Sequence, residues 1–177
     1  MGGFVALRAV ERNPERFIGL VLADTKSEAD SDKSKLGRYQ ALKTIQKQGL
    51  SVYADIFAKQ GTSPSTQTER PQIFSRAKHI MESNTAAGVS AAVLALASRT
   101  ATTAELGKIR IPTLVMHGEF DSVIPVLEAQ SLHDKIKGSK LFVVPAAGHL
   151  SNLENPDAFN EQLLSFIAGL NAGARPW

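Results

Sequence analysis

Three short, nearly continuous apolar runs predict the strands of this chain. The runs cover residues 17–23, 111–117 and 140–145, and charged residues, glycine or small residues bound them. An apolar run of this length is typical of a strand that is buried on both faces of a sheet. Apolar residues at helical spacing in 126–136 predict a helix between the second and third runs. This order favours a parallel sheet with right-handed crossover connections.

Helices are predicted at both ends of the chain. Phe4, Val5, Leu7 and Val10 fall on one helical stripe, which ends before Asn13-Pro14 because a residue that precedes proline is disfavoured in the α region. Near the other end, Asn155-Pro156 provides a cap and a first-turn proline. The helix that follows has one apolar face, which consists of Phe159, Leu163, Phe166, Ile167 and Leu170.

The middle of the chain has a different pattern. Between residues 26 and 108 no convincing strand occurs, and apolar residues recur at helical spacing between the breaks at Pro64 and Pro71. Several short helices between two strands of one sheet are typical of an inserted cap. The sequence therefore predicts an α/β fold with a sheet-forming core of residues 1–25 and 109–177 and a helical cap of residues 26–108.

Two polar residues follow the second and third predicted strands. Asp121 lies in the loop after the second strand and His149 in the loop after the third. Loops at the carboxyl ends of neighbouring parallel strands share one edge of the sheet, so we expect these two side chains to meet. A carboxylate beside an imidazole can fix the tautomer of the histidine, which then removes a proton from a nucleophile. Asp121 and His149 are the candidate catalytic residues.

The segments around these two residues resemble the α/β-hydrolase family. Residues 111–125 are similar to the loop of the catalytic acid, and residues 147–156 are similar to the loop of the catalytic histidine. Residues 96–100 resemble the return from cap to sheet in the subgroup of enol-lactonases, esterases and cofactor-free haloperoxidases. The resemblance covers the chain from Met1 to about Leu170. It implies a partial α/β-hydrolase fold of three parallel strands, with Asp121 as acid and His149 as base.

The first residues resemble the end of the nucleophile motif of that family. In G-x-S-x-G the serine lies on a sharp turn from a strand into a helix. Met1-Gly2-Gly3 is similar to the residues after the serine, so that Met1 takes the next position and Gly2 the last glycine. The resemblance therefore implies that Met1 and Gly2 are what remains of the nucleophile turn and oxyanion hole, in a chain truncated just after its serine. We expect weak esterase activity on a small-molecule ester, if the chain is active.

A missing neighbouring strand would leave the apolar run 17–23 at the edge of the sheet, with unpaired backbone groups. We expect a homodimer that joins two copies through this strand. Two alternatives remain open, a catalytically inactive dimerising fragment and one half of a split hydrolase.

Other serines could take the nucleophile's place, but Ser122 and Ser151 are better explained by loop hydrogen bonds, and Ser90 or Ser98 would have to come from a partner's cap.

Composition and the remaining histidines narrow the function further. The formal charge is only +3, with scattered basic residues, which argues against nucleic-acid binding, and cysteine is absent. No apolar stretch reaches the roughly 20 residues that span a bilayer, so we expect no membrane partner and a cytoplasmic location. His79 and His133 lie among charged residues and His117 ends a strand, a pattern that predicts no metal site. No glycine-rich phosphate loop follows a strand, and no cofactor is predicted.

Overall fold

The computed structural model describes residues 1–173, with side chains as far as residue 170. Its centre is a parallel sheet of three strands in the order β1-β2-β3. The strands are β1 (Leu20–Ala23), β2 (Thr113–Gly118) and β3 (Lys140–Val144). Every residue of β2 is buried, as expected for the central strand. The predicted fold class, three parallel strands flanked by helices, is confirmed.

Helices cover both faces of the sheet. The helices α1 (Gly2–Arg12) and α7 (Val126–Lys135) pack on one face, where Leu7, Val115 and Leu132 share a buried cluster. The other face is covered by α9 (Pro156–Gly173), whose Phe166 meets Leu114 and Met116. Consecutive residues of β2 therefore face opposite layers, which explains why its sequence is apolar without alternation. A short helix, α8 (Ser151–Glu154), precedes α9.

The first strand is shorter than the apolar run predicts. The run includes residues 17–19, but the chain forms a 3-10 turn at Pro14–Arg16 and the ladder begins at Leu20, whose N–H donates to the carbonyl of Pro112 at 2.9 Å. Phe17 packs against the core without pairing to a strand, and Ile18 is 71% exposed. An apolar run thus marks packing, which is not always strand pairing.

Five helices connect β1 to β2. They are α2 (Asp32–Gln48), α3 (Leu50–Gly61), α4 (Pro64–Glu69), α5 (Pro71–Glu82) and α6 (Ala86–Ser98). Ser31, Ser63 and Thr85 cap α2, α4 and α6 by accepting a hydrogen bond from a backbone N–H of the first turn. A 3-10 segment, Thr103–Lys108, leads back to the sheet. These helices fall within residues 26–108, the segment that the sequence pattern predicts to be a cap.

None of the helices among the described residues is by itself long and apolar enough to cross a membrane. Only α5 and α6 taken together meet that criterion, and the two are bent by 95° relative to each other.

Candidate active site

Asp121 lies in the loop after β2 with its carboxylate fully enclosed. Its Oδ1 accepts hydrogen bonds from the N–H groups of Val123 and Ile124, both at 2.8 Å, while Oδ2 lies 2.8 Å from Nδ1 of His149. Burial alone would raise the pKa of Asp121. The hydrogen bonds from His117 and His149 outweigh that effect, and the pKa falls to about 2. Asp121 is therefore an ionised acceptor at neutral pH.

His149 lies in the loop after β3, as predicted, and the structure brings it against Asp121. Because the carboxylate can only accept, Nδ1 of His149 carries the proton and Nε2 is left with a lone pair. In the part of the chain that the structure describes, Nε2 makes no hydrogen bond. The ring is held edge-on to Phe57 of α3, at 6.4 Å between centroids, and its side chain is 16% exposed. This arrangement presents a basic nitrogen to the space beside it.

His117 is a third member of the site that the sequence pattern does not single out. It is fully buried at the end of β2, and its Nε2 donates to the carbonyl of Ile124 at 2.8 Å and lies 3.2 Å from Oδ2 of Asp121. Burial lowers the pKa of His117, but the hydrogen bond to Asp121 outweighs it, so the pKa is raised above its ordinary value. His117 thus holds the acid loop closed and gives Asp121 another donor.

Asp24, directly after β1, connects the end of β2 to the segment that follows His149. Its Oδ1 accepts from the N–H of Gly118 at 2.8 Å, and its Oδ2 accepts from Oγ of Ser151 at 2.6 Å. The residue has a φ of 47°, a left-handed conformation that aspartate tolerates better than most residues. Burial raises the pKa of Asp24 despite these hydrogen bonds. A polar residue directly after a buried strand was the available sequence signal for it.

The two loops approach so closely that glycine is required. A Cβ on Gly118 would lie 2.0 Å from the carbonyl oxygen of Gly148. The histidine loop is also tied to the cap, because the buried carboxylate of Glu154 accepts from the N–H of Gly148 at 2.8 Å and from the N–H of Ser63 at 2.7 Å. Glu154 was not predicted, since its partner Ser63 lies far away in the sequence. The position of His149 is therefore fixed by both the sheet and the cap.

Met1 lies on the open side of His149, and Gly2 follows it as the first residue of α1. A cavity of about 230 Å³ is bordered by His149, Met1 and Phe4, together with residues of the cap. The first helix, α1, begins at Gly2, and the carbonyl of Met1 accepts from the N–H groups of Phe4 and Val5. The N-terminus of α1 therefore borders the same cavity as His149. The catalytic roles of Asp121 and His149 and the nucleophile-turn assignment of Met1 and Gly2 remain predictions.

Three of the four serines weighed as substitute nucleophiles are engaged elsewhere. Oγ of Ser151 donates to Asp24, and Oγ of Ser122 donates to the carbonyl of Gln60 at 2.8 Å. Ser98 donates to the carbonyl of Ala95 within its own helix. No hydroxyl group of the described residues hydrogen-bonds to His149. This agrees with loop hydrogen bonding as the function of Ser122 and Ser151.

The structure does gather three groups that are chemically able to hold a cation. Ligand atoms of Asp24, His117 and Asp121 lie within 4.8 Å of one another. Most of these atoms are already engaged, because both carboxylates accept two or more hydrogen bonds and Nε2 of His117 donates to Ile124, while Nδ1 of His117 is buried without a partner among the described residues. Hydrogen bonding within the protein accounts for this cluster, and the absence of a metal stays a prediction.

Comparison with known proteins adds a family to this geometry. The family model described as serine aminopeptidase, S33, matches residues 1–155. Among curated proteins, 3-oxoadipate enol-lactonase 2 of Acinetobacter baylyi is 30% identical over 171 residues, which is 97% of this chain and 62% of the enol-lactonase. The chain thus spans less than two thirds of the length of that relative.

Solved structures show the same relation. A thermophilic esterase from Thermogutta terrifontis, solved with malate bound, has a TM-score of 0.89 and 28% identity, and the match covers 96% of this chain and 62% of the esterase. The enol-lactonase from Burkholderia xenovorans has a TM-score of 0.83 at 21% identity, over 95% of this chain and 63% of that protein, and at this identity the likeness concerns the fold alone.

Proposed function

The chain belongs to the serine aminopeptidase S33 family of α/β-hydrolases, and from that premise we propose that it provides the acid and the base of a carboxylic ester hydrolase. The observation that supports this most is the buried Asp121 carboxylate, 2.8 Å from Nδ1 of His149, with Nε2 of the imidazole facing a cavity. An ionised acid in this place fixes the basic nitrogen toward the substrate and stabilises the imidazolium that forms during the reaction.

In the proposed reaction, Nε2 of His149 takes the proton of a nucleophile as its oxygen attacks the ester carbonyl. The imidazolium then gives that proton to the departing alkoxide, and Asp121 stays ionised throughout because its pKa is about 2. When the nucleophile is a serine, water repeats the two steps on the acyl intermediate and releases the acid. When the nucleophile is a water molecule, a single attack followed by loss of the alkoxide releases the acid and the alcohol.

We place the serine directly before the position of Met1. The support is the resemblance of residues 1–3 to the end of the nucleophile turn, together with the shared cavity of Met1 and His149. The N-terminus of α1 would then face the oxyanion of the tetrahedral intermediate, where the positive end of a helix is stabilising. The coding sequence upstream of the Met1 codon tests this placement, because an in-frame Gly-His-Ser supports it.

The chain alone has a smaller catalytic capacity under this proposal. Among the described residues no serine hydroxyl hydrogen-bonds to His149, so under this proposal the base activates water, and general-base catalysis contributes on the order of 10²–10⁴-fold. The alternatives are that the chain is one half of a split hydrolase or an inactive module that pairs through β1. The open outer edge of β1 supports either form of association. Light scattering of the purified chain separates the two, because the self-pairing module should be a dimer and the split half should be a monomer until its partner is added.

Hydrolysis of p-nitrophenyl acetate and butyrate tests the proposed function. His149→Ala and Asp121→Asn should each remove most of the rate above buffer, because one loses the base and the other its orientation. Two matched controls are His79→Ala on the exposed part of α5 and Asp134→Asn at the exposed end of α7, which should keep the rate. A rate that is equal in all four variants contradicts the proposal, and a serine-bearing partner that restores a His149-dependent rate supports the split form.

A further inference from the structure

The cavity beside His149 has a second polar end, formed by cap residues that the catalytic pair does not use. Arg38 of α2, Arg99 after α6 and Asp30 before α2 all line it. Most of the other lining side chains are apolar, and they include Phe57, Met81, Val89, Val93 and Leu96. A space with an apolar wall and a small number of charged groups is the usual form of a small-molecule site.

A single carboxylate holds both guanidinium groups of this end. Oδ2 of Asp30 accepts from Nε of Arg38 at 3.0 Å, and Oδ1 accepts from Nη2 of Arg99 at 2.8 Å. Burial would raise the pKa of Asp30, but the hydrogen bonds and charges of the two arginines outweigh it, and the pKa lies below its ordinary value. Asp30 is thus ionised at neutral pH and compensates one of the two positive charges.

No other carboxylate of the described residues lies within 4.0 Å of either guanidinium group. Nζ of Lys26, which also lines the cavity, lies 4.0 Å from Glu128. Burial and the neighbouring carboxyl of Glu28 raise the pKa of Glu128. Asp30 is therefore the one counter-charge that the described residues place beside the two guanidinium groups.

Arg38 is the arginine with hydrogen-bond donors to spare. Its Nε is engaged with Asp30, but Nη1 and Nη2 make no hydrogen bond to the described residues, and the side chain is 26% exposed. Arg99 is used differently. Its Nη1 donates to the carbonyl of Glu28, its Nη2 donates to Asp30, and its guanidinium carbon lies 3.8 Å from the ring centre of Phe4. Arg99 ties the cap to α1, whereas Arg38 presents two free N–H-bearing nitrogens.

We propose that Arg38 binds a carboxylate group of the substrate in this cavity, so that the preferred substrate is a short aliphatic ester with a free carboxylate. This rests on the proposed function, because it takes the His149 end of the cavity as the place where the ester is cleaved. A guanidinium binds a carboxylate through two parallel hydrogen bonds. The volume of about 230 Å³ is smaller than that of drug-sized sites, about 300–1,000 Å³, and fits a short chain.

Binding of two matched probes tests the carboxylate site without requiring hydrolysis. The probes are monomethyl glutarate and its neutral primary amide, which differ only in the charged end, and binding is measured by titration calorimetry with the wild-type chain. The half ester should bind about tenfold or more tightly than the amide, because charge-assisted hydrogen bonds are stronger than neutral ones. Arg38→Gln should remove this difference, and Arg76→Gln on the exposed surface of α5 should keep it.

Equal binding of the two probes to the wild type, or an unchanged preference in a folded Arg38→Gln variant, overturns the proposal. If Arg38→Gln does not fold, binding of both probes to the wild type is measured as NaCl is raised from 0.05 to 0.5 M. Weaker binding of the half ester alone supports the proposal. An equal change for both probes overturns it. Arg38-dependent binding combined with hydrolysis that is indifferent to His149→Ala contradicts the proposed function but keeps the carboxylate site.

Discussion

Two regions of the sheet, the loops at the carboxyl ends of its strands and the outer edge of β1, differ in how many of their hydrogen-bonding groups find a partner within the chain. At the carboxyl ends of the strands, Asp24, Asp121 and Glu154 each accept at least two hydrogen bonds from the loops around them. At the outer edge of β1, in contrast, the described residues provide no neighbouring strand. The acid–base half of the site is therefore rigid by itself, whereas the flank beside α1 is open to a partner.

The difference teaches which part of the chain acts independently. Buried carboxylates are stable only when their hydrogen bonds are complete, so the loops of Asp121 and His149 are fixed by the fold of this chain alone. The region of α1 next to β1 is apolar, with Val5 of α1 63% exposed and Met1, which precedes α1, 52% exposed. Exposed apolar surface next to an open strand edge favours association. Three predictions test this contrast.

The largest effect is expected where the two loops meet. Gly118→Ala places a Cβ 2.0 Å from the carbonyl oxygen of Gly148, a backbone atom that cannot rotate away. We expect the free energy of unfolding to fall by about 3 kcal/mol, and the distance between Asp121 and His149 to change. Urea unfolding measures the loss. The control is Gly37→Ala within α2, where a Cβ meets nothing within 4 Å and where alanine should stabilise the helix by about 0.5–1 kcal/mol. A Gly118→Ala variant as stable as the wild type contradicts the close approach of the two loops.

The sequence predicts this contrast only in part, and the reason is the range of the interactions. The contact between Asp121 and His149 could be predicted because each follows its own strand within a short motif. The hydrogen-bonded roles of Asp24 and Glu154 could not, because Asp24 bonds Ser151 from 127 positions away and Glu154 bonds Ser63 from 91 positions away. The apolar pattern starts β1 too early for a similar reason. Phe17 is apolar because it packs on the core, and the sequence pattern cannot distinguish that contact from strand pairing.

The second prediction concerns the dependence of stability on acid. The pKa of Asp121 is lowered from 3.8 to about 2 in the folded chain, so its ionised form stabilises the fold above pH 3.8 and this contribution is lost as the pH falls toward 2. The shift corresponds to about 2 kcal/mol. Unfolding by urea at pH 5, 4, 3 and 2.5 should show a steeper loss for the wild type than for Asp121→Asn, which has no carboxylate to protonate. Asp134→Asn should follow the wild type, and parallel curves for all three proteins rule out the assigned shift.

The smallest effect on stability, and the clearest test of the open flank, is expected at the outer edge of β1. The N–H groups of Leu20 and Asp24 donate toward β2, to the carbonyls of Pro112 and Met116. By the alternation of a strand, the N–H of Val21 therefore points away from the sheet. Val21→Pro removes that outward donor while keeping an apolar side chain of similar size, and should cost about 1 kcal/mol because proline restricts φ. If β1 pairs with a second copy, this variant should be monomeric in light scattering, whereas Val21→Thr, which keeps the N–H, should still associate. Association of both variants to the same extent would place the contact elsewhere, and a monomeric wild type would leave the edge for a strand from another chain. This pair of variants therefore separates association through the open edge from the stability of the acid–base pair.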